Sequence, residues 1–513
     1  ASGDGYVMVN FGLFAPSWWM KENPDEVTYS MDLSGNRLAQ EGVSFSSDKW
    51  RELAGECLEK LIEHMVKQKY YNRVFGLRIT AGQTYEFMNY GAGAKWMPDY
   101  SKASELGFRE WLKTKYETNE NLRNAYNNPT LTFDTVTIPT MAERGNAYYT
   151  TLLNPITDMW KIDYNNYLTS KSADCLLYWA QIAKEGTDFK KIVGAYYGYM
   201  WTFGSYDGAS STHTGLIRIL ESEYIDFIAS PYNYNEKIFG MSSTFMSMAD
   251  AVQAFGKLYL LEEDNRTFNT DGFSGVSWDA SWDYQVGETH TPLDTVYQFR
   301  RDFANNFVNG TGYWHYDMYG GWVDDPVMYE AMAQEHKIYQ TSYYFENISY
   351  LNDVAVFVDD NTYTYYSMDT TYNTPYILNS VMLMEQRENL NRMGTGYDTY
   401  TMSALTKGKV ASHKVNIFIS PYEITEEDNI VIQDYLNKCG GYAIWIYGAG
   451  FSDGTSTSDS LTNMKNLTGF DIGISEGTHA LQTEISNSAS PLVEGLAHKR
   501  FGTHSQFISP QFY

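Results

Sequence analysis

The sequence is short of cysteine and of positive charge, and each shortage excludes a class of protein. Its three cysteines, Cys57, Cys175 and Cys439, lie far apart in a chain of 513 residues, which excludes a disulfide framework and a Cys/His metal cluster. The 37 Lys and Arg residues face 63 Asp and Glu, a net charge of −26. So strong an anion argues against nucleic acid or an acidic membrane surface as partner. No apolar run approaches the length that spans a bilayer.

Aromatic residues, by contrast, are abundant, with 44 Tyr and 13 Trp. Aromatic rings stack on the apolar faces of sugars, but they also fill protein cores, so the bias is compatible with a carbohydrate-binding protein without establishing one. The length allows two or three domains. Few lysines and many Tyr, Asn, Thr and Ser residues favour an extracellular protein and leave a cytoplasmic one open.

The first 345 residues alternate predicted strands with predicted helices. The six apolar strands are expected at 7–14, 74–80, 192–199, 225–229, 257–261 and 312–317. This alternation predicts parallel βαβ units and an α/β fold. A closed (β/α)8 TIM barrel needs eight strands. We therefore expect a barrel that lacks its first two strands in this chain, with the native polypeptide extending upstream; the alternative is that residues 120–190 contain two further strands.

After residue 350 the pattern indicates a second, doubly wound α/β domain. Predicted strands at 354–358, 415–419 and 443–447 enclose a helix that begins near Thr425, where a near capping box stands. The segment Ser420 to Glu423 lacks the glycines of a phosphate-binding turn, so we expect no nucleotide here. The Gly/Ser/Thr/Asp-rich stretch 452–459 is expected to be a solvated loop.

Two strand ends carry glutamates that suggest catalysis. Glu262 ends the apolar run that begins at Lys257, and Glu86 closely follows the strand at 74–80. The C-terminal edge of a parallel barrel is where side chains from different strands converge. A retaining glycosidase needs two carboxyls about 5–5.5 Å apart, one ionised and one protonated. The alternative is that both are solvated surface groups.

Other residues near these strand ends are candidates for the same site. Asp264 and Arg266 are expected either to orient Glu262 by hydrogen bonds or to form a structural ion pair. His213 is expected to be a satisfied core or surface histidine. The aromatic residues at strand ends that are expected to line a sugar site, or else to fill the core, are Trp18, Trp19, Tyr232, Trp314 and Trp322.

Four segments resemble glycoside hydrolase clan A, and within it the family 42 β-galactosidases and their uncharacterised relatives. They are 15–26, 81–86 with 99–101 and 108–112, 257–267, and 317–322 with 324–326. They occur in the family's order across roughly residues 1–345. In that clan the acid/base follows barrel strand four and the nucleophile follows strand seven, which implies Glu86 and Glu262 in those roles.

The resemblance implies a retaining β-glycosidase with β-galactosidase-like architecture that needs no cofactor and no metal. Residues 1–345 would be the catalytic domain, and residues 350–513 would be the family's flavodoxin-like trimerisation domain without its full C-terminal continuation. The expected assembly is therefore a homotrimer.

Two features depart from the family pattern. The Cys cluster that binds zinc in some members is absent. Tyr85 stands where the clan usually has the Asn that contacts the sugar's 2-hydroxyl, so Tyr85 is a candidate substrate-binding residue and galactose should not be assumed. A β-mannosidase, a β-glucosidase and a catalytically inactive carbohydrate-binding or assembly protein are the alternatives.

Overall fold

The chain folds around two parallel β-sheets. The computed structural model describes residues 5–92, 96–145, 152–201, 212–270, 289–318, 320–342, 352–367, 377–455 and 461–513. The first sheet is built from residues 7–315 and the second from residues 354–446. Part of the predicted loop at 452–459, from residue 456 onward, lies outside the described residues.

The first sheet contains the six predicted parallel strands, in the order β1-β4-β5-β6-β7-β8. These strands are β1 (Val7–Gly12), β4 (Val74–Thr80), β5 (Ile192–Tyr196), β6 (Phe227–Pro231), β7 (Leu258–Glu263) and β8 (Gly312–His315). Each is paired in parallel with its neighbour. The predicted fold class is confirmed: these are consecutive strands of a (β/α)8 barrel, and their C-terminal ends share one edge.

Helices between the strands cover the outside of this sheet. The longer ones are α2 (Asp48–Val66), α3 (Lys102–Tyr116), α6 (Pro155–Gly186), α9 (Pro292–Val308) and α10 (Pro326–Ser342). Helix α2 begins as its sequence predicts, because the Ser47 side chain accepts a hydrogen bond from the backbone N–H of Trp50. Its apolar stripe, including Leu58 and Ile62, is buried.

The described part of the region 120–190 consists of helices and turns and contributes no strand to the barrel sheet. Helix α6 runs for 32 residues from Pro155, with Asn154 capping its first turn. The short helices before it are α4 (Asn119–Ala125) and α5 (Met141–Arg144). The alternative that two barrel strands lie here is therefore wrong for residues 120–145 and 152–190, the part that the structure describes.

The second sheet has four parallel strands in the order β10-β9-β11-β12. They are β9 (Val354–Val358), β10 (Tyr397–Thr401), β11 (Val415–Ile419) and β12 (Tyr442–Ile446). Helix α13 (Glu426–Cys439) connects the last two; it begins at a capping box formed by Thr425 and Asp428 and ends at Gly440, whose φ is 56°. Strand β10 was not predicted, since its alternating polar residues give no continuous apolar run.

Two antiparallel hairpins were also not predicted from the sequence. One pairs β2 (Val27–Met31) with β3 (Arg37–Val43), beside the barrel. The other pairs β14 (His479–Glu484) with β15 (Arg500–Ile508), near the C-terminus. Among the described residues, no helix combines the length and the apolar character needed to cross a membrane.

Candidate active site

A cavity of about 350 Å³ opens at the C-terminal edge of the first sheet. Residues from five of the six strands or from the loops that follow them line it. They are Asn10, Gly12, Arg78, Thr80, Thr84, Tyr85, Glu86, Tyr196, Glu262 and Tyr316. The two glutamates selected from the sequence therefore face one cavity, although 176 residues separate them in the chain.

Glu262 lies almost entirely inside the protein, with 8% of its surface exposed. The Tyr196 hydroxyl donates a hydrogen bond to Glu262 Oε2, and Arg78 Nη1 lies 3.9 Å from the same oxygen. Burial raises the pKa of Glu262 to about 7 and the charge of Asp264 adds to the rise, whereas Tyr196 and Arg78 oppose it. This carboxyl is therefore held near the boundary between its charged and neutral forms at neutral pH.

Arg78 is a fixed cation in the cavity wall. Its guanidinium lies 4.4 Å from the ring centroid of Tyr196 and 5.1 Å from that of Trp314, within the range of cation–π contacts. Its Nε donates to Asn10 Oδ1 at 2.8 Å, and its Nη1 donates to the Tyr196 hydroxyl. A chain of hydrogen bonds therefore runs from Asn10 through Arg78 and Tyr196 to Glu262.

Glu86 lies in the loop after β4 and is half-buried. The Tyr199 hydroxyl donates to Glu86 Oε1 at 2.8 Å, and the Thr84 hydroxyl donates to Oε2. Burial raises the pKa of Glu86, with a smaller contribution from the charge of Asp264, while the two hydroxyls oppose the rise. A carboxyl with a raised pKa can hold a proton at neutral pH, as a general acid must.

Asp264 and Arg266 lie next to the site and contact groups other than Glu262. Asp264 is buried, receives a hydrogen bond from Tyr234 at 2.8 Å and forms an ion pair with Lys237, which is itself buried. The Arg266 guanidinium packs 4.4 Å from the ring centroid of Trp322. Asp264 acts on both glutamates through its charge, and its ion-pair partner is Lys237, whereas Arg266 donates to its backbone carbonyl oxygen at 3.0 Å.

The predicted aromatic residues divide into two groups. Tyr85 lines the cavity, is 60% exposed and packs edge-on against Phe14 at 4.7 Å. Trp314 pairs with Glu262 in the sheet register and contacts Arg78 and Tyr196. Tyr85 therefore faces the cavity directly, and Trp314 packs against two residues that line it.

The others lie outside the cavity lining. Trp19 is buried against Trp50 at 5.0 Å, and its neighbour Trp18 is exposed. Tyr232 is fully buried, and its hydroxyl is bonded to Asp302 and Asn306. Trp322 is buried beneath Arg266. Packing accounts for the positions of the three buried rings.

The sequence reading missed several residues that surround the two glutamates. Arg78 could have been identified from the sequence, since a charged residue inside an apolar strand is unusual unless other groups pair with its charge. Tyr196 is the last residue of β5 but lies inside the longer strand predicted at 192–199, so it was not recognised as a strand-end residue. Tyr199 and Tyr316 lie just beyond strand ends and carry no separate signal.

Residues 13–213 match the family model of glycoside hydrolase family 42, described as β-galactosidase. Curated proteins provide no match to this chain. The match covers the segment that carries Glu86, Tyr196 and Tyr199. Together with the fold it confirms the predicted resemblance to family 42 of clan A and supports a glycoside hydrolase.

Solved structures share the fold across nearly the whole chain. A cold-adapted β-galactosidase from Rahnella sp. R3 superposes with a TM-score of 0.64 at 13% identity, covering 99% of this chain and 70% of that one. The β-galactosidase from Marinomonas ef1 gives 0.61 at 14% identity, covering 93% and 71%. An exo-carrageenase from Bacteroides ovatus gives 0.52 at 12% identity, covering 94% and 65%. The chain therefore spans about two thirds of the length of these proteins.

Proposed function

We propose that this protein is a retaining β-glycosidase, of β-galactosidase type, that hydrolyses terminal β-linked sugars. The observation that carries the proposal is that Glu86 and Glu262 line one cavity at the C-terminal edge of the barrel sheet. Their carboxyl groups are expected to lie about 5–5.5 Å apart, the separation that direct attack on the sugar requires. Burial raises the pKa of Glu86, as a proton donor near neutral pH needs, whereas Tyr196 and Arg78 oppose the rise at Glu262, which must be ionised to attack.

In the first step, Glu262 attacks the anomeric carbon as a carboxylate. The bond from that carbon to the leaving oxygen breaks, and protonated Glu86 gives its proton to that oxygen, so the aglycone leaves as a neutral alcohol. The product is a glycosyl ester on Glu262. Arg78 and Tyr196 contact the attacking carboxylate, and both stabilise its charged form before the bond forms.

In the second step, Glu86, now ionised, removes a proton from water. The resulting hydroxide adds to the anomeric carbon, the ester bond to Glu262 breaks, and the sugar leaves with its β-configuration retained. Glu86 ends protonated and Glu262 ends ionised, so both groups return to their starting states. The Tyr199 hydroxyl remains within hydrogen-bonding distance of Glu86 and stabilises its ionised form.

Tyr85 is the observation that favours a sugar other than galactose. It projects into the cavity at the position where the clan has an amide for the 2-hydroxyl, and a phenol places its hydroxyl farther from the backbone than an amide does. A β-mannosidase or a β-glucosidase is therefore the second candidate. Hydrolysis of a panel of nitrophenyl β-glycosides by the intact chain tests the proposal: turnover of the galactoside supports the first candidate, preferential turnover of the mannoside or glucoside supports the second, and no turnover of any sugar contradicts both.

The same proposal assigns different roles to the two domains of the chain. Residues 1–345 carry the cavity and serve catalysis, whereas residues 350–513 serve assembly into a homotrimer. The turn after β11, where Ser420 to Glu423 stand, has no glycine-rich phosphate cradle, which supports an assembly role over nucleotide binding.

A further inference from the structure

The loop that carries Glu86 has a strained backbone, which is held by hydrogen bonds within the loop and by others from a neighbouring segment. Thr84, Tyr85 and Phe87 have φ values of 55°, 72° and 57°. L-residues with side chains rarely adopt this left-handed region, and such residues persist only where surrounding contacts hold them. Glu86 lies between two of them, so the direction of its side chain depends on whatever holds this backbone.

Two consecutive carbonyl groups of the loop receive hydrogen bonds from one neighbouring segment. His213 Nε2 lies 2.7 Å from the carbonyl oxygen of Glu86. The Thr212 hydroxyl donates to the carbonyl oxygen of Phe87 at 2.7 Å. Both donors are fully buried, and both lie in the connection after β5. The strained loop after β4 is therefore held by the connection that follows β5, the strand next to β4 in the sheet.

The contacts of His213 determine which ring nitrogen carries the proton. The backbone N–H of Tyr199 donates to His213 Nδ1 at 3.2 Å, so Nδ1 is an acceptor and bears no hydrogen. In a neutral imidazole the other nitrogen then carries the proton, and Nε2–H donates to the Glu86 carbonyl. Burial lowers the pKa of His213 to about 4, which keeps the ring neutral at the pH values where a glycosidase of this type would work.

The ring of His213 is also held in place by two tyrosines. It stacks on Tyr197, with centroids 4.8 Å apart and an interplanar angle of 24°, and meets Tyr199 edge-on at 4.6 Å. Tyr199 is the residue whose hydroxyl bonds to the Glu86 carboxyl. One residue therefore contacts the Glu86 side chain directly and orients the histidine that contacts the Glu86 backbone.

We propose that His213 is a positioning residue for Glu86: its Nε2–H holds the backbone carbonyl of the strained loop so that the Glu86 carboxyl stays against Tyr199 and faces the cavity. The proposal rests on the proposed function only in naming Glu86 as the acid/base. The mechanical part, that His213 restrains the loop at 82–88, is independent of any activity.

The mechanical part is tested by hydrogen exchange of the peptide that covers residues 82–88, followed by mass spectrometry on the intact chain. His213→Phe keeps a flat ring between the tyrosines but removes both nitrogens, and should raise the exchange rate of this peptide about tenfold or more, since local opening becomes easier. His213→Gln keeps a side-chain N–H in the place of Nε2 and should stay within about threefold of wild type. The matched control is His413→Phe, at a buried histidine of the second domain that contacts Tyr400 edge-on.

The catalytic part is tested by kcat/KM on two aryl β-glycosides of the same sugar. A substrate with a poor leaving group needs the proton from Glu86, and one with a good leaving group does not. His213→Phe should lower kcat/KM by about 10- to 100-fold on the first substrate and by less than about threefold on the second. A residue that merely maintained the fold would lower both by the same factor.

The outcomes separate this inference from the function on which it rests. Unchanged exchange at 82–88 in His213→Phe overturns the restraint, whatever the activity. Raised exchange with equal losses on both substrates overturns the link to Glu86. An inactive wild type overturns the proposed function while the exchange result still decides the restraint. If His213→Phe does not fold, His213→Leu, which also removes both ring nitrogens, is measured by the same exchange experiment, and unchanged exchange at 82–88 in that variant contradicts the restraint.

Discussion

The hydroxyl of Tyr196 donates a hydrogen bond to Glu262 Oε2, and this contact joins the ends of two strands that are not adjacent in the sheet. Strand β6 lies between β5, which ends at Tyr196, and β7, which carries Glu262. The bond stabilises the ionised carboxylate in a place where burial disfavours it. Under the proposed mechanism, Tyr196 therefore influences what fraction of Glu262 is ionised, and so able to attack, at a given pH.

Tyr196→Phe should move the acidic limb of the kcat/KM profile to higher pH. Glu262 must be ionised to act, so activity rises as pH passes its pKa of about 7. Loss of a hydrogen bond to the charged form raises that pKa further, by about one unit. The charges of Asp264 and Glu86 both raise this pKa as well and remain in the variant, so they do not offset the loss. The measurement is kcat/KM between pH 5 and 10. Tyr297→Phe, at an exposed tyrosine of α9, is the control, and an unmoved limb in Tyr196→Phe contradicts the prediction.

Glu262→Gln should abolish turnover, because an amide cannot form the glycosyl ester. The expected loss in kcat is at least about 10³-fold. Circular dichroism and elution volume should match wild type, since Gln has nearly the same shape. Glu120→Gln, an exposed carboxyl on α4, should leave kcat unchanged. Full activity in Glu262→Gln would mean that another residue is the nucleophile.

Glu262→Gln should also change stability in a pH-dependent way. The pKa of Glu262 is raised from 4.5 to about 7, so its contribution to folding is complete below the unfolded pKa and is lost as pH rises through 7. That loss is at most about 3 kcal/mol at pH 8. A glutamine does not titrate and therefore escapes this loss of stability. The Tm of the variant minus the Tm of wild type should thus be larger at pH 8 than at pH 5. Calorimetry at both pH values checks this, and a difference of the opposite sign contradicts the raised pKa.

Glu86→Ala should be rescued by azide. Without the acid, substrates with good leaving groups still form the glycosyl-enzyme, but water is no longer activated to release the sugar. Azide needs no general base and should restore turnover with a β-glycosyl azide as product. Glu262→Gln under the same conditions should show no rescue. Wild-type activity in Glu86→Ala, or an azide product of α-configuration, would contradict the assigned roles.

Intact protein should be larger than a monomer in solution. The second domain is proposed to serve assembly, and three chains of 58.8 kDa give a trimer. Light scattering coupled to size exclusion measures the mass directly. A strictly monomeric mass at all concentrations would contradict the trimer, and a nucleotide that co-purifies with the protein would contradict the expectation that the second domain binds none.

Local sequence patterns were enough to predict the six strands of the first sheet and three of the four strands of the second, and to select the two glutamates as candidates. Val74–Thr80 and Val354–Val358 were predicted at the bounds that the structure has, because each is a short apolar run between polar segments. Glu86 and Glu262 were identifiable since a carboxylate at the end of a buried strand has a defined place on a parallel sheet. These patterns depend on a few neighbouring residues, so they can be recognised without knowing which distant residues they contact in the fold.

The tertiary structure decided which groups surround those carboxylates. Arg78, Tyr196 and Tyr199 meet Glu262 and Glu86 only because the order and register of β4, β5 and β7 bring their ends to one edge. In the first sheet, strand pairing joins residues 31 or more positions apart, and no local pattern contains it. The same applies to Tyr232 and Trp322, which stand at strand ends as a site residue would but are turned into the core by the elements packed around them.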